Sequence, residues 1–201
     1  MRLKIVQVGD AVLRQRARQM GVDEIRSRET QQLIEWMRET MHDAPGVGLA
    51  APQVGLGLQL AVIEDKPEYM KDMPAAMAKE RERKPVSFQV IVNPKITLLG
   101  PANIEFFEGC LSLAAFTAVV PRARQVKVEC LDHNGKSKTI EASGWYARIL
   151  QHEIDHLQGT IYIDRMYPRT FMSTDNHARY WKDKAMRELR DAIGFERLAA
   201  G

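Results

Sequence analysis

The chain has 201 residues, 45% hydrophobic and 27% charged, a balance that excludes a disordered, collagenous or repeat-built protein and lets one domain bury a core without disulfides. Lys plus Arg at 29 against Asp plus Glu at 26 leaves a net charge of +3, which predicts no strong attraction to nucleic acid or to a membrane surface. Two cysteines, Cys110 and Cys130, are too few for a disulfide framework and fit a reducing compartment.

In chain order, MRLKIVQVGD opens with an apolar run too short for a secretory signal, and we expect a soluble protein. Ser27 through Met41 places Leu33, Ile34, Met37 and Met41 at helical spacing, with Ser27 and Thr30 as candidate caps. DAPGVGLAAPQVGLG, dense in Gly and Pro, cannot continue that helix and reads as a structured loop. Leu58 to Glu64 and Gln89 to Pro94 read as strands, and the charged stretch between them as a partly helical surface insertion whose simplest role is a solvated face. LSLAAFTAVV, from Leu111 to Val120, falls short of the roughly 20 apolar residues that cross a bilayer.

Gln125 to Leu131 and Ser137 to Ala142 alternate apolar and polar around a DHNGK turn, the pattern of a hairpin. Helical spacing resumes at Ser143 and runs to a stop at Gly159, and a last amphipathic helix is expected from about Asn176 to Ile193. No repeat, low-complexity tract or linker divides residues 1–201, so the chain reads as a single α+β domain.

The strongest chemical signal is His152-Glu153-Ile154-Asp155-His156 inside the long helix. Residues four apart are offset by only about 40°, so both imidazoles can reach one metal, while Glu153 lies about 100° away, placed to act as a base on a metal-activated water. Trp145 and Ile149 share the stripe of His152 and His156 and put apolar walls beside the site, as a pocket or simply as core. A catalytic metal site usually takes a third protein ligand. Tyr162 stands where one metalloprotease template has its third His, Glu188 is the candidate under another, and Cys110 in Glu108-Gly109-Cys110-Leu111-Ser112 offers a thiolate. Cys130, inside an alternating strand, reads as packing.

Gly46, Gly48 and Ala51 match a relaxed dinucleotide fingerprint, but a helix precedes them and Pro52 interrupts the helix that should follow. A better use of this loop is to bring backbone groups up to an extended ligand, with the Gln53 amide as donor to an oxyanion.

Taken together, GVGLAAPQ at 46–53, EGCLS at 108–112 and QHEIDHLQG at 151–159 resemble the three signature motifs of peptide deformylases. The similarity extends from Val8-Gly9-Asp10 through Asp164, and ASGWYARILQHE and the insertion near Pro67 to Pro85 resemble the branch that includes plant and animal organellar enzymes. The resemblance implies antiparallel sheets packed around the central HExxH-bearing helix, with N-terminal and C-terminal helices. It implies removal of the formyl group from the initiator methionine of nascent chains, with release of formate. It makes Cys110, His152 and His156 the metal ligands and Glu153 the general acid/base. It assigns Gln53 and the Leu111 N–H to the formyl oxygen, and Val47 and Gly48 to the peptide-binding side. Iron(II) is the implied physiological metal, with zinc, nickel or cobalt able to replace it. Arg148 and Thr117 depart from residues many bacterial members carry there, an apolar side chain and an arginine respectively.

The rival readings are a zinc endopeptidase on the same helix and an inactive metal-binding paralogue. Expected partners are N-formylmethionyl nascent peptides, without nucleic-acid or membrane recognition. The amphipathic C-terminal stretch is expected to pack on its own domain, with a transient ribosome contact or a homodimer as the alternative to a lone monomer. The expected location is a bacterial-type cytoplasm, or a mitochondrion or plastid if a transit peptide has been removed.

Overall fold

The computed structural model describes residues 1–195, so the last residues of the C-terminal stretch and of the 1–201 reading lie outside it. The first half of the chain runs α1 (Val22–Arg26), α2 (Arg28–Asp43), β1 (Gly48–Ala50), β2 (Leu60–Asp65), α3 (Ala75–Glu80) and β3 (Val86–Leu98). The second half runs β4 (Ala102–Cys110), β5 (Leu113–Ala123), β6 (Gln125–Leu131), β7 (Ser137–Ser143), α4 (Gly144–Leu157), β8 (Met172–Ser173), α5 (Thr174–Asn176) and α6 (Met186–Ile193). The strands pair antiparallel in two sheets, β1-β2-β3-β6-β7 and β4-β5-β8, which makes the domain α+β as expected.

The five-stranded sheet is covered on both faces. Successive side chains of a strand point to opposite sides, so Ala61 and Ile63 of β2 join Leu150, Ile154 and Leu157 of α4, while Leu60 and Val62 join Ile34, Met37 and Met41 of α2. Each such large apolar side chain taken fully out of water contributes about 1.5–3 kcal/mol. The three-stranded sheet is likewise buried on two sides, Ala118 and Val120 against Leu13, Ile161 and Tyr162, and Phe107 and Val119 against Tyr167, Leu189 and Phe195. The α4 helix is tied to the end of β5 by Gln151, whose side chain accepts from Ala123 N–H at 3.0 Å and donates to Ala123 C=O at 2.9 Å. Among the described residues, no helix is long and apolar enough to cross a membrane.

Local signals explain the ends of the elements. Ser27 caps α2, its Oγ accepting the Thr30 N–H at 3.2 Å, whereas Thr30 itself is buried and is not the cap. Gly159 closes the α4 turn at φ +76°, and a Cβ there would meet Arg14 O at 2.7 Å. The expected strand at Gln89–Pro94 is longer, Val86–Leu98, because a bulge absorbs Pro94. Asn93 takes φ +51° and its amide bonds Met20 N and O at 2.9 and 2.8 Å. Strands β4 and β5 were not anticipated. The expected C-terminal helix is broken: α5 leads into a π-helical turn at His177–Trp181, and α6 starts afresh where Glu188 accepts the Ala185 N–H at 3.0 Å. Its apolar side packs on its own domain through Leu189. The insertion forms a 3₁₀ turn at Pro67–Met70 and α3, but its end is not solvated: Arg81 lies over the Trp145 ring.

Candidate metal centre and its cleft

Five elements converge on one cleft. β4 ends at Cys110, the turn through Leu111 leads into β5, and α4 brings His152, Glu153 and His156; β1 and a 3₁₀ turn at Ala51–Val54 add Gly48 and Gln53 from the opposite side. The ligand atoms of Cys110, His152 and His156 lie within 4.8 Å of one another. Cys110 Sγ is 3.3 Å from His156 Nε2, and the two imidazole rings stand 5.0 Å apart at 75°. One thiolate and two imidazoles form a donor set that suits zinc, iron, cobalt or nickel, so the residues fit a divalent ion.

The orientation of His152 is enforced from behind. Glu108 Oε2 is 3.0 Å from His152 Nδ1, which leaves Nε2 to face the cluster. Glu108 also accepts from Arg122 Nε and Nη2, both at 2.9 Å, and from Arg148 Nη1 at 2.6 Å. Arg122 extends the network to Asp155, which Arg165 grips in two hydrogen bonds of 2.7 and 2.8 Å. Burial alone would neutralise Glu108, yet the charges of Arg122 and Arg148 and the hydrogen bonds to it hold its carboxyl well below the usual range. His152 is pushed down by burial but pulled well above its ordinary value by its bonds to Cys110 and Glu108. His156 is held well below its ordinary value by burial and by the positive charges of His152 and Arg122.

Glu153 is the second buried carboxylate that lines the cleft. Burial, helped by the negative charge of Glu108, pushes its pKa up to about 7 against the opposing pull of His152 and Arg122. Its Oε2 is buried with no hydrogen-bond partner among the described residues, so an acceptor waits in the cleft. A Cβ on Gly48 would lie 2.2 Å from Glu153 Oε1, and Gly48 is therefore required sterically: only a residue without a side chain lets the carboxylate lie against β1. Gln53 is held by its own Oε1, which accepts the Ala50 N–H at 2.8 Å, while its Nε2 donates toward Cys110 Sγ at 3.4 Å.

The cleft has a volume of about 670 Å³. Nine of the ten site residues read from the sequence line it: Val47, Gly48, Gln53, Cys110, Leu111, Trp145, Ile149, His152 and Glu153. His156 lies beneath, 1% exposed. The alternative third ligands are elsewhere in role: Tyr162 is buried against Leu13 and Val120, and Glu188 pairs with Lys184 on the surface. Thr117 is buried and donates to the Glu108 carbonyl at 2.8 Å rather than lining the cleft. Sequence reasoning missed the roles of Glu108, Arg122 and Asp155. Glu108 stands two residues before Cys110 on one strand, hence on the same face, Arg122 follows directly on the apolar run that ends in Val119-Val120-Pro121, and Asp155 sits one turn after Gln151 inside the His152–His156 motif.

Residues 2–171 match the polypeptide deformylase family model. The chain is 49% identical over 172 residues to "Peptide deformylase 1A, chloroplastic" of Solanum lycopersicum, with 86% of this chain and 62% of that protein covered. It is 46% identical over 173 residues to "Peptide deformylase 1A, chloroplastic/mitochondrial" of Arabidopsis thaliana, covering 86% of this chain and 64% of that one. The chain thus spans less than two thirds of the length of these plant relatives. A Met-ala-ser bound crystal structure of the class I type b peptide deformylase from Acinetobacter baumannii superposes with a TM-score of 0.73 at 30% identity, covering 83% of this chain and 99% of that one. The family match over most of the chain and a cleft that gathers all three signature motifs lead to one conclusion: this chain belongs to the polypeptide deformylase family.

Proposed function

We propose that the chain is a metal-dependent hydrolase that removes the N-terminal formyl group from the initiator methionine of new polypeptides, releasing formate. The observation that carries this is the juxtaposition of the Cys110/His152/His156 cluster with the buried, unpartnered Glu153 carboxylate in one cleft. A divalent ion held by those three ligands, iron(II) as the physiological choice and zinc, nickel or cobalt as replacements, supplies Lewis acidity and a more acidic water.

The protein's own groups do the rest. Glu153 takes a proton from the water that attacks the formyl carbon and returns it to the departing amine, so that formate and a free N-terminus result. As the C–O bond polarises, the Gln53 amide and the Leu111 N–H donate to the formyl oxygen; each such donor is worth about 3 kcal/mol in measured oxyanion holes. Val47 and Gly48 present the β1 edge to the peptide backbone. Trp145 and Ile149 wall the pocket for the methionine side chain. Glu108 keeps His152 turned toward the cluster.

The partners in this reading are N-formylmethionyl nascent peptides, met with or without a transient ribosome contact, by a monomer or a homodimer. The location is a bacterial-type cytoplasm, with a mitochondrion or plastid as the alternative that the plant relatives support. The test is formate release from formyl-Met-Ala-Ser under low oxygen, with the metal content of the same sample measured. Formate release with intact downstream peptide bonds is expected. Cleavage of internal bonds instead would make the chain an endopeptidase, and a metal-loaded but inert protein would make it a binding paralogue.

A further inference from the structure

The insertion between β2 and β3 ends in a short stem that packs on the wall of the cleft. The Arg81 guanidinium lies 5.2 Å from the Trp145 ring centroid and 5.3 Å from that of Phe106, and Arg83 lies 5.3 Å from Trp145. Phe106 meets Trp145 edge-on at 6.4 Å. The backbones are in contact as well. Gly144 sits at φ +59°, and a Cβ there would lie 2.4 Å from Glu82 Cβ and 2.8 Å from Arg81 O.

The two arginines differ in what else they do. Arg83 donates twice to the buried Asp65 carboxylate, at 2.8 Å each, so its place is explained by that ion pair. Arg81 forms no ion pair among the described residues, and its Nε is buried without a partner. A guanidinium partly drawn out of water, with Glu80 acting on it only through its charge and no carboxylate hydrogen-bonded to it among the described residues, is costly, and the aromatic faces are what it has gained in exchange. Trp145 lines the cleft beside Ile149 and His152, so the ring that Arg81 covers is also a wall of the site.

We propose that Arg81 is a positioning residue: by clamping the Trp145 ring, the stem of the insertion sets the shape of the pocket for the first side chain of the formyl peptide and excludes branched and aromatic ones. This rests on the deformylase reading above. The stem acts through Trp145 and touches neither the substrate nor the metal ligands.

The test uses the metal-loaded full chain and formyl-Met-Ala-Ser against formyl-Phe-Ala-Ser. Arg81→Ala is the variant of choice, because Arg83→Ala would strand the buried Asp65. Arg81→Ala is expected to keep kcat on the methionine peptide but lower the Met-to-Phe ratio of kcat/KM about fivefold, through KM, as loss of a cation–π contact implies. Arg81→Lys should restore part of the ratio. Trp145→Leu should relax the ratio similarly, and adding Arg81→Ala to it should change nothing more. In a Trp36→Phe/Trp181→Phe chain Trp145 is the sole tryptophan, and Arg81→Ala should then make its emission easier to quench with acrylamide. An equal loss on both peptides, an unchanged Trp145 emission, or a further relaxation in the Trp145→Leu background would overturn the proposal. Absence of formate release from every peptide by a metal-loaded wild type would instead sink the deformylase reading, and the emission measurement would still decide whether Arg81 holds the ring.

Discussion

Gly48→Ala is the most informative single change, because it adds one methyl group and acts on Glu153 without altering its chemistry. The new Cβ would lie 2.2 Å from Glu153 Oε1, 2.5 Å from Cδ and 2.8 Å from Cγ. Relief requires the carboxylate to withdraw by about 1 Å, and a misplacement of that size in a reacting group costs on the order of 10²-fold in rate. Overpacking of this kind also costs roughly 1–3 kcal/mol of stability. Alanine is otherwise acceptable in β1, since Gly48 has no left-handed φ to protect. The assays are kcat for formate release, metal content, and urea denaturation in wild-type and Glu153→Ala backgrounds. Metal should be retained, kcat should fall about 10²-fold, and the stability cost should largely vanish when residue 153 is Ala, because the three atoms nearest the new Cβ all belong to the part of Glu153 that alanine lacks. A Gly48→Ala enzyme with wild-type turnover, or a stability cost that is the same in both backgrounds, would refute the claim that Gly48 exists to admit Glu153.

Glu153→Gln should keep the metal and lose turnover by about 10²–10⁴-fold, the usual worth of a general acid/base, as read from kcat beside metal analysis. Cys110→Ala should lose the metal, and chelator treatment of the wild type should lower its Tm, since an ion bound only by the folded state adds its binding energy to stability. Glu108→Gln should weaken metal affinity about 10–100-fold by loosening His152, measured by competition with a chromophoric chelator. Arg122→Ala, at a side chain 3% exposed, leaves Glu108 and Asp155 short of their shared cation and should cost about 3–5 kcal/mol in urea denaturation; a loss under 1 kcal/mol would contradict the network.

The legible parts were those whose cause is local. The i, i+4 histidines needed only helical periodicity to share a face, and the cap at Ser27 and the stop at Gly159 needed only backbone hydrogen-bond arithmetic. The β6–β7 hairpin was written in alternation around a Gly turn. Strands β4 and β5 were missed because their residues are covered on both sides, by Leu13 and Tyr162 on one and by Tyr167 and Leu189 on the other, so their apolar pattern does not alternate. The C-terminal helix was overextended because amphipathic spacing does not register where Glu188 starts a new helix.

What the sequence by itself determined is the inventory of donors: two imidazoles and a carboxylate on one helix, and a thiol and an amide in two glycine-bearing segments that resemble family motifs. Residue type and short-range spacing suffice for that. Only the tertiary structure decided which of the candidates stands beside the two imidazoles, since Cys110, Tyr162 and Glu188 are separated along the chain from His152 by distances that no local rule converts into ångströms. It likewise revealed that Glu108 is held by two guanidinia and an imidazole, that Gly48 is small for the sake of Glu153, and that the charged insertion turns its last arginines onto Trp145. These are contacts between segments far apart in sequence, and packing rather than propensity sets them.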